Sequence, residues 1–276
     1  MIFKKHIPAY PLSQYIQHIL YINGPQSVPY LIELPDAKLN LVIELENDSV
    51  NTLYTDSGLK DERTMKHGWV SGSNAQAIVY KNNRASTIVS IRFTIGGFYA
   101  LTRIPMSEII YPGLEIDLLL GNSANKLYQI LINETAIDRI FEHIERYFIN
   151  YIADNNFETS LVKFIDKHID SPIDWLVHKS GYSHKHVIQV VKKQTGFSLK
   201  YLQRLHRFRK VLDAIQQQGH NISWTSITYD HGYFDQAHFV KEFIHFTGFT
   251  PTQYFSIQTA SDHNKIFTDI KLIGDR

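Results

Sequence analysis

The sequence predicts an α+β protein of two domains. A β-rich front part, a sheet or small barrel with trailing helices, is followed by an all-helical part with two helix-turn-helix units on a linking helix. Three observations predict this. Apolar residues alternate at period two over about the first 115 residues. The period then lengthens to three and four from about residue 123. Finally, residues 159–258 repeat a glycine-punctuated helical unit. At 276 residues there is room for two domains, each with a core of its own.

In the front part, Leu39, Leu41, Ile43 and Leu45 alternate with Asn40, Glu44 and Glu46. Val89, Ile91, Phe93 and Ile95 alternate with Ser90, Arg92 and Thr94. Such alternation puts one face of a strand on a core and leaves the other to water. Turn formers at Asn23-Gly24-Pro25, Ser57-Gly58, Asn82-Asn83 and Gly96-Gly97 separate the runs. Next, Ile137, Ile140, Phe141, Ile144, Tyr147, Phe148 and Tyr151 form one helical stripe, with Glu142, Glu145 and Arg146 opposite. That stripe suits either the domain's own core or a dimer face. Residues 153–158, Ala-Asp-Asn-Asn-Phe-Glu, break it with polar turn formers. The expected division is therefore 1–152 for the β-rich domain, 153–158 for a linker, 159–258 for the helical domain and 259–276 for a tail.

Composition narrows the function. Hydrophobic residues make up 43% and charged residues 20% of the chain, as in a soluble globular protein. No apolar run approaches the roughly 20 residues a membrane helix needs, so no membrane partner is expected. The start, Met1 to His6, leads into prolines instead of an apolar signal core. There is no cysteine, which excludes disulfides, thiolate zinc sites and cysteine nucleophiles, and suits the cytoplasm. Charge is uneven. Residues 1–157 hold 13 Lys/Arg against 16 Asp/Glu, whereas residues 158–258 hold 12 against 8, with 9 of the 14 histidines. A basic domain beside an acidic one fits a protein that meets a polyanion with one end.

Each repeated unit has a short helix, a glycine turn, a second helix and a closing glycine. In the first, Ile173, Leu176 and Val177 face inward, Gly181 makes the turn, and Ser183 caps a helix running to about Gln194. Val187, Val190 and Val191 face inward along it. His184, Lys185, Ile188, Gln189, Lys192 and Lys193 face outward, nearly all basic or amide-bearing. In the second, Ile227 anchors helix one, Gly232 turns and Asp235 caps; Phe239 and Phe243 point in while Gln236, Ala237, His238 and Lys241 point out. Two helices joined at a glycine turn, with hydrogen-bond donors exposed on the second, form the arrangement that places a recognition helix in the major groove. Amide side chains can pair with adenine, and Lys or Arg with guanine or phosphate. Between the units, Leu202, Leu205, Phe208, Leu212 and Ile215 mark a rigid spacer helix, with Arg204, Arg207, Arg209 and Lys210 expected on its surface.

Residues from about 158 to 257 resemble the DNA-binding domains of the AraC/XylS family, the arabinose-operon-activator type. The second unit carries the signature most fully: Ile227, the run from Gly232 to Phe239, Phe243, and Gly248-Phe249-Thr250-Pro251-Thr252-Gln253-Tyr254. The first matches at Gly181-Tyr182-Ser183, Lys192-Lys193 and Gly196-Phe197-Ser198-Leu199. Val177 and Thr228 stand where the family usually has a small alanine, Val191 where it has phenylalanine, and Phe255 where an arginine follows the closing tyrosine. The resemblance implies a transcription regulator whose partner is double-stranded promoter or operator DNA. It maps base reading onto Lys185, Ile188 and Gln189 in the first unit, and Ala237, His238 and Lys241 in the second. Less specifically, Leu34-Pro35-Asp36-Ala37 and the stretch from Arg92-Phe93 through Gly96-Gly97 to Pro105 resemble a cupin-like sensor or dimerisation domain. That implies control by a small-molecule effector or by homodimerisation, and contact with RNA polymerase if the outcome is activation.

Sharper chemistry finds little support. His184 and His186 point in different directions on one helix, and no HExxH pattern occurs, so no metal site is expected. No G-x-S-x-G elbow occurs, and Ser71-Gly72-Ser73 after Trp69 reads as a turn. Alkyltransferases that share this DNA-binding fold need reactive cysteines. No cofactor and no enzymatic activity are expected. The alternative is an enzyme or sugar-binding β-domain tethered to DNA; a third reading makes the front part a dimerisation module alone.

Overall fold

The computed structural model describes residues 2–24, 30–46, 50–54, 62–71, 75–81, 86–109, 113–153, 160–218, 222–259 and 270–273. The alternating front part folds into β1 (Ile2–His6), β2 (Ile16–Gly24), β3 (Tyr30–Glu33), β4 (Asn40–Glu44), β5 (Val50–Tyr54), β6 (Arg63–Lys66), β7 (Gly68–Ser71), β8 (Ile78–Lys81) and β9 (Ser86–Phe93). After it come α1 (Gly97–Thr102), β10 (Leu114–Glu115), α2 (Ile116–Leu120), α3 (Asn122–Ile132) and α4 (Ile137–Ala153). The turn signals at Ser57-Gly58 and Asn82-Asn83 lie outside the described residues, as do Pro25, Gly72-Ser73 and 154–158 of the expected linker.

Two antiparallel sheets result, ordered β1-β2-β9-β4-β7-β10 and β11-β3-β8-β5-β6. The strand β11 (Ile270–Ile273) comes from the segment expected to be a tail. It pairs along β3, Ile270 opposite Glu33 and Ile273 opposite Tyr30. A bare sheet edge presents unpaired amides and carbonyls, and this returning segment covers one.

The first sheet has two covered faces, which corrects the expectation that one looks to water. Leu39, Leu41, Ile43, Val89, Ile91 and Phe93 share a core with Phe98, Leu101, Leu127, Leu131 and the inner side of α4. There Ile140, Phe141, Ile144 and Phe148 are buried, so the helical stripe serves the domain core. The alternating polar residues Asn40, Glu44 and Arg92, expected in water, are only 7%, 0% and 4% exposed. They are buried because the second sheet lies across that face, and Leu53, Met65, Trp69, Ile78 and Tyr80 fill the space between. Glu46 is exposed, as its position in the alternation predicts.

Buried charge needs partners to offset lost hydration, and these groups supply one another's. Glu33 accepts hydrogen bonds from the Tyr80 hydroxyl, from Asn40 Nδ2 at 2.6 Å and from Ser71 Oγ at 3.5 Å. Arg92 lies 3.9 Å from Glu33 Oε1 and donates through its other terminal nitrogen to Asp36. Burial would raise the Asp36 carboxyl, but Arg92, Arg209 and Lys38 outweigh it and hold it below the ordinary carboxylate range.

The chain continues through α5 (Ser160–Lys167), α6 (Ile173–Ser180), α7 (His184–Thr195), α8 (Leu199–Gln218), α9 (Trp224–Asp230), α10 (Gln236–Thr247) and α11 (Pro251–Thr259). The core of these helices is not closed on itself. Ile32, Leu34, Tyr54, Ala77 and Val79, on the outer side of the second sheet, belong to the same apolar cluster as Leu176, Val191, Phe208, Phe243 and Phe246. Backbone and side-chain bonds seal the seam: Ala77 N–H donates to the Phe246 carbonyl at 3.0 Å, and the Tyr201 hydroxyl to the Ala75 carbonyl at 2.5 Å. Separate cores were expected, but the outer face of the second sheet is apolar here and needed cover.

Candidate nucleic-acid interface

The first unit is made of α6 and α7. Its turn residue Gly181 has φ +73°, a left-handed value that glycine adopts without steric cost. Ser183 then caps α7, its Oγ accepting from His186 N–H at 3.3 Å. Val187 and Val191 are fully buried beneath the helix. At its far end Thr195 Oγ1 donates back to the Val191 carbonyl and accepts from Phe197 N–H, and Gly196 closes the helix at φ +81°.

The second unit repeats the cap and the closing bonds of this recognition helix. Gly232 turns at φ +70°, and Asp235 Oδ1 accepts from His238 N–H at 2.7 Å at the start of α10. Phe239 and Phe243 are buried beneath it, Thr247 Oγ1 donates to the Phe243 carbonyl and accepts from Phe249 N–H, and Gly248 closes at φ +77°. The duplication seen in the sequence is therefore a duplication of local hydrogen bonding.

Every residue expected to meet DNA is exposed: His184, Lys185, Ile188, Gln189, Lys192 and Lys193 on α7, and Gln236, Ala237, His238 and Lys241 on α10. The two sets differ in surroundings. Lys193 reaches toward the β-rich domain, with its Nζ 5.4 Å from the centre of the Tyr99 ring in α1. On α10, Ala237, Val240 and Ile244 line a mostly apolar groove flanked by Gln236 and Lys241. Phe234, in the turn just before it, is 86% exposed, and Tyr229 of α9 is 63% exposed. Neither aromatic stands out in the sequence, where an aromatic beside a glycine turn reads as buried packing.

The spacer helix α8 buries Leu202, Leu205, Phe208, Val211 and Ile215, with Phe208 stacked on Phe246 at 4.6 Å. Its basic residues are not simply solvated surface, which corrects the sequence expectation. Lys210 pairs with Asp170 at 2.6 Å. Arg204 and Arg207 turn toward the 4%-exposed Glu242 of α10, at 3.5 and 3.6 Å. Arg207 also donates to the Gly232 carbonyl at 3.2 Å and lies over the Tyr233 ring. Burial and the neighbouring Glu242 push the Tyr233 phenol well up, so it stays neutral. Charges at i and i+3 on one helix stay together only if something faces them, and that partner is distant in sequence.

Residues 176–257 match the family described as "Helix-turn-helix domain". With the doubled unit and its signature residues in place, that match decides the assignment. These residues form a helix-turn-helix domain of the AraC/XylS type. The chain is a DNA-binding transcription regulator with a β-rich domain of two sheets before its helix-turn-helix domain. Residues 4–111 match a domain of unknown function, DUF6597. No curated protein matches the chain. Among solved structures, ToxT from Vibrio cholerae in a P21 crystal form is similar at 9% identity and TM-score 0.43, covering 92% of this chain and 98% of that one. Wild-type ToxT from Vibrio cholerae strain SCE256 bound to unsaturated fatty acid gives 10% identity and TM-score 0.44, covering 94% and 96%. Among the described residues, no helix is long and apolar enough to cross a membrane.

Proposed function

We propose that α7 and α10 of one chain enter successive major grooves of promoter DNA, and that the β-rich domain controls this binding. Residues 1–152 would be the controlling domain, 153–158 a linker, 159–258 the DNA-binding domain and 259–276 a tail that returns to the second sheet. His184, Lys185, Ile188, Gln189, Lys192, Lys193, Gln236, Ala237, His238 and Lys241 would make the contacts. Lysines and amides would serve phosphates and base edges, while Ile188 and Ala237 would meet thymine methyl groups. The observation that carries the reading is the pair of side-chain-capped helices whose outer faces are exposed while their inner faces share one core with the spacer helix. The chain acts by binding, without turnover, in the cytoplasm beside the chromosome. The test is affinity for genomic fragments selected by the full chain, measured across salt. Counterion release predicts a steep fall with rising salt, and a flat response would remove the DNA-binding interface from these helices.

Control is proposed to pass through a small effector bound by the β-rich domain. Between its two sheets Glu33, Asn40, Ser71, Tyr80 and Arg92 form one buried polar group, and Arg92 pairs there with Asp36, whose carboxyl also feels the charge of Arg209 on the spacer helix. An effector that competes for Arg92 would alter this connection. A metabolite screen that raises the melting temperature of the full chain would identify it; homodimerisation without effector is the competing route, read from sedimentation with and without DNA.

A further inference from the structure

We propose that Glu242 is a positioning residue for base reading: it holds His238 by Nε2, so that Nδ1 alone faces the groove, as an acceptor for an adenine or cytosine amino group. The inference rests on the reading of His238 as a base contact and adds the chemistry of that contact. Glu242 is a buried carboxylate one helical turn beyond His238, and its Oε2 lies 3.2 Å from His238 Nε2. Arg204 Nε approaches Oε1 at 3.5 Å and Arg207 NH2 approaches Oε2 at 3.6 Å. Arg207 is itself held by the Gly232 carbonyl and the Tyr233 ring, which keeps a positive charge fixed beside the carboxylate. His245 and Tyr201 crowd the same side, their rings 6.3 Å apart.

A carboxylate can only accept. In the neutral imidazole, Nε2 facing it must carry the hydrogen, which leaves Nδ1 with a lone pair. Meanwhile the His238 backbone is pinned by the Asp235 cap at 2.7 Å and its ring by the edge of Tyr233 at 5.4 Å. Residues in the first turn of a recognition helix reach deepest into the groove. The major groove offers donors at adenine N6 and cytosine N4, and guanine and thymine lack them at the matching place. Two arginines already offset the charge of the buried carboxylate, so the histidine arm, with its side chain 44% exposed, adds little to the core. Its effect is to choose the tautomer.

The experiment selects bound sequences from a randomised site with the full chain, for wild type, His238→Ala and Glu242→Gln. A glutamine amide can donate or accept, so it keeps the shape and frees the tautomer. Both variants should lose preference for adenine or cytosine at one and the same base pair, by roughly tenfold, with the other positions retained. Loss with His238→Ala but not with Glu242→Gln overturns the positioning role alone. No loss with His238→Ala overturns the base contact as well. An equal drop at every position in Glu242→Gln, or a preference for guanine in wild type, also overturns the proposal. Should Glu242→Gln fail to fold, the ring 15N spectrum of wild-type His238 at alkaline pH decides: a bare Nδ1 supports the inference and a protonated Nδ1 sinks it.

Discussion

The two helix-turn-helix units cap and close their second helices with the same hydrogen bonds, yet they present different chemistry outward. Unit one exposes Lys185, Gln189 and Lys192 over an aliphatic interior of Leu176, Val187 and Val191. Unit two exposes an apolar groove at Ala237, Val240 and Ile244, with one histidine tied to a buried carboxylate, over an interior of Phe239, Phe243 and Phe246. The difference teaches that the scaffold sets where a helix sits, while the outward residues set what it reads. On the proposed reading, unit one would supply phosphate grip and hydrogen bonding, and unit two would supply shape, methyl contact and a single oriented acceptor.

The comparison breaks first if the shared support is removed. Phe208 is fully buried and touches Phe243 and Phe246, so Phe208→Ala should cost about 3–5 kcal/mol of stability. Because α8 serves both units, both halves of the DNase footprint should vanish together as thermal melting falls. A footprint that keeps one half would mean that the units are supported independently.

Next come the outward residues. Lys185→Ala and Gln189→Ala should each weaken promoter binding by about 1–3 kcal/mol, and Lys241→Ala by less. Lys185→Ala should also lower the salt slope by about one counterion. Binding isotherms at several salt concentrations measure both quantities, and a larger loss for Lys241→Ala would reverse the assigned roles.

The turns should then prove equal. A Cβ placed on Gly181 or Gly232 meets nothing within 4 Å, and both have left-handed φ. Alanine at either site should therefore cost about 1–2 kcal/mol from backbone strain alone. Chemical denaturation giving unequal values would show that one turn is strained by its surroundings. Smallest are the caps: Asp235→Ala should cost about 1 kcal/mol and Ser183→Ala slightly less. The aspartate bond is shorter, 2.7 against 3.3 Å, and carries charge toward the helix N-terminus. Equal melting shifts would indicate that this charge is screened.

What could be read in the sequence is what neighbouring residues decide among themselves. Ser183 and Asp235 cap, Gly181 and Gly232 turn, and Val187 or Phe239 faces inward, because each rests on interactions within about one helical turn. For the same reason the residues turned outward on α7 and α10 were legible as exposed. The sidedness of β4 and β9 was only half legible. Period two states that Asn40 and Arg92 share a face but is silent on what covers that face, and here it is a second sheet. Arg204, Arg207 and Glu242 escaped because their meeting depends on how α8 crosses α10, and a lone buried glutamate at i+4 from a histidine was the one local clue.

By itself the sequence determined the two kinds of layer, the doubled helix-turn-helix and the residues it turns outward, since short-range periodicity and capping chemistry specify them. Tertiary structure alone decided that α4 covers the first sheet, that the helical domain closes its core on the second, that β11 returns to pair with β3, and that His238 leans on a Glu242 held by α8. Each of those joins segments far apart in the chain, where burial of apolar surface and the need to satisfy buried charge choose the partner.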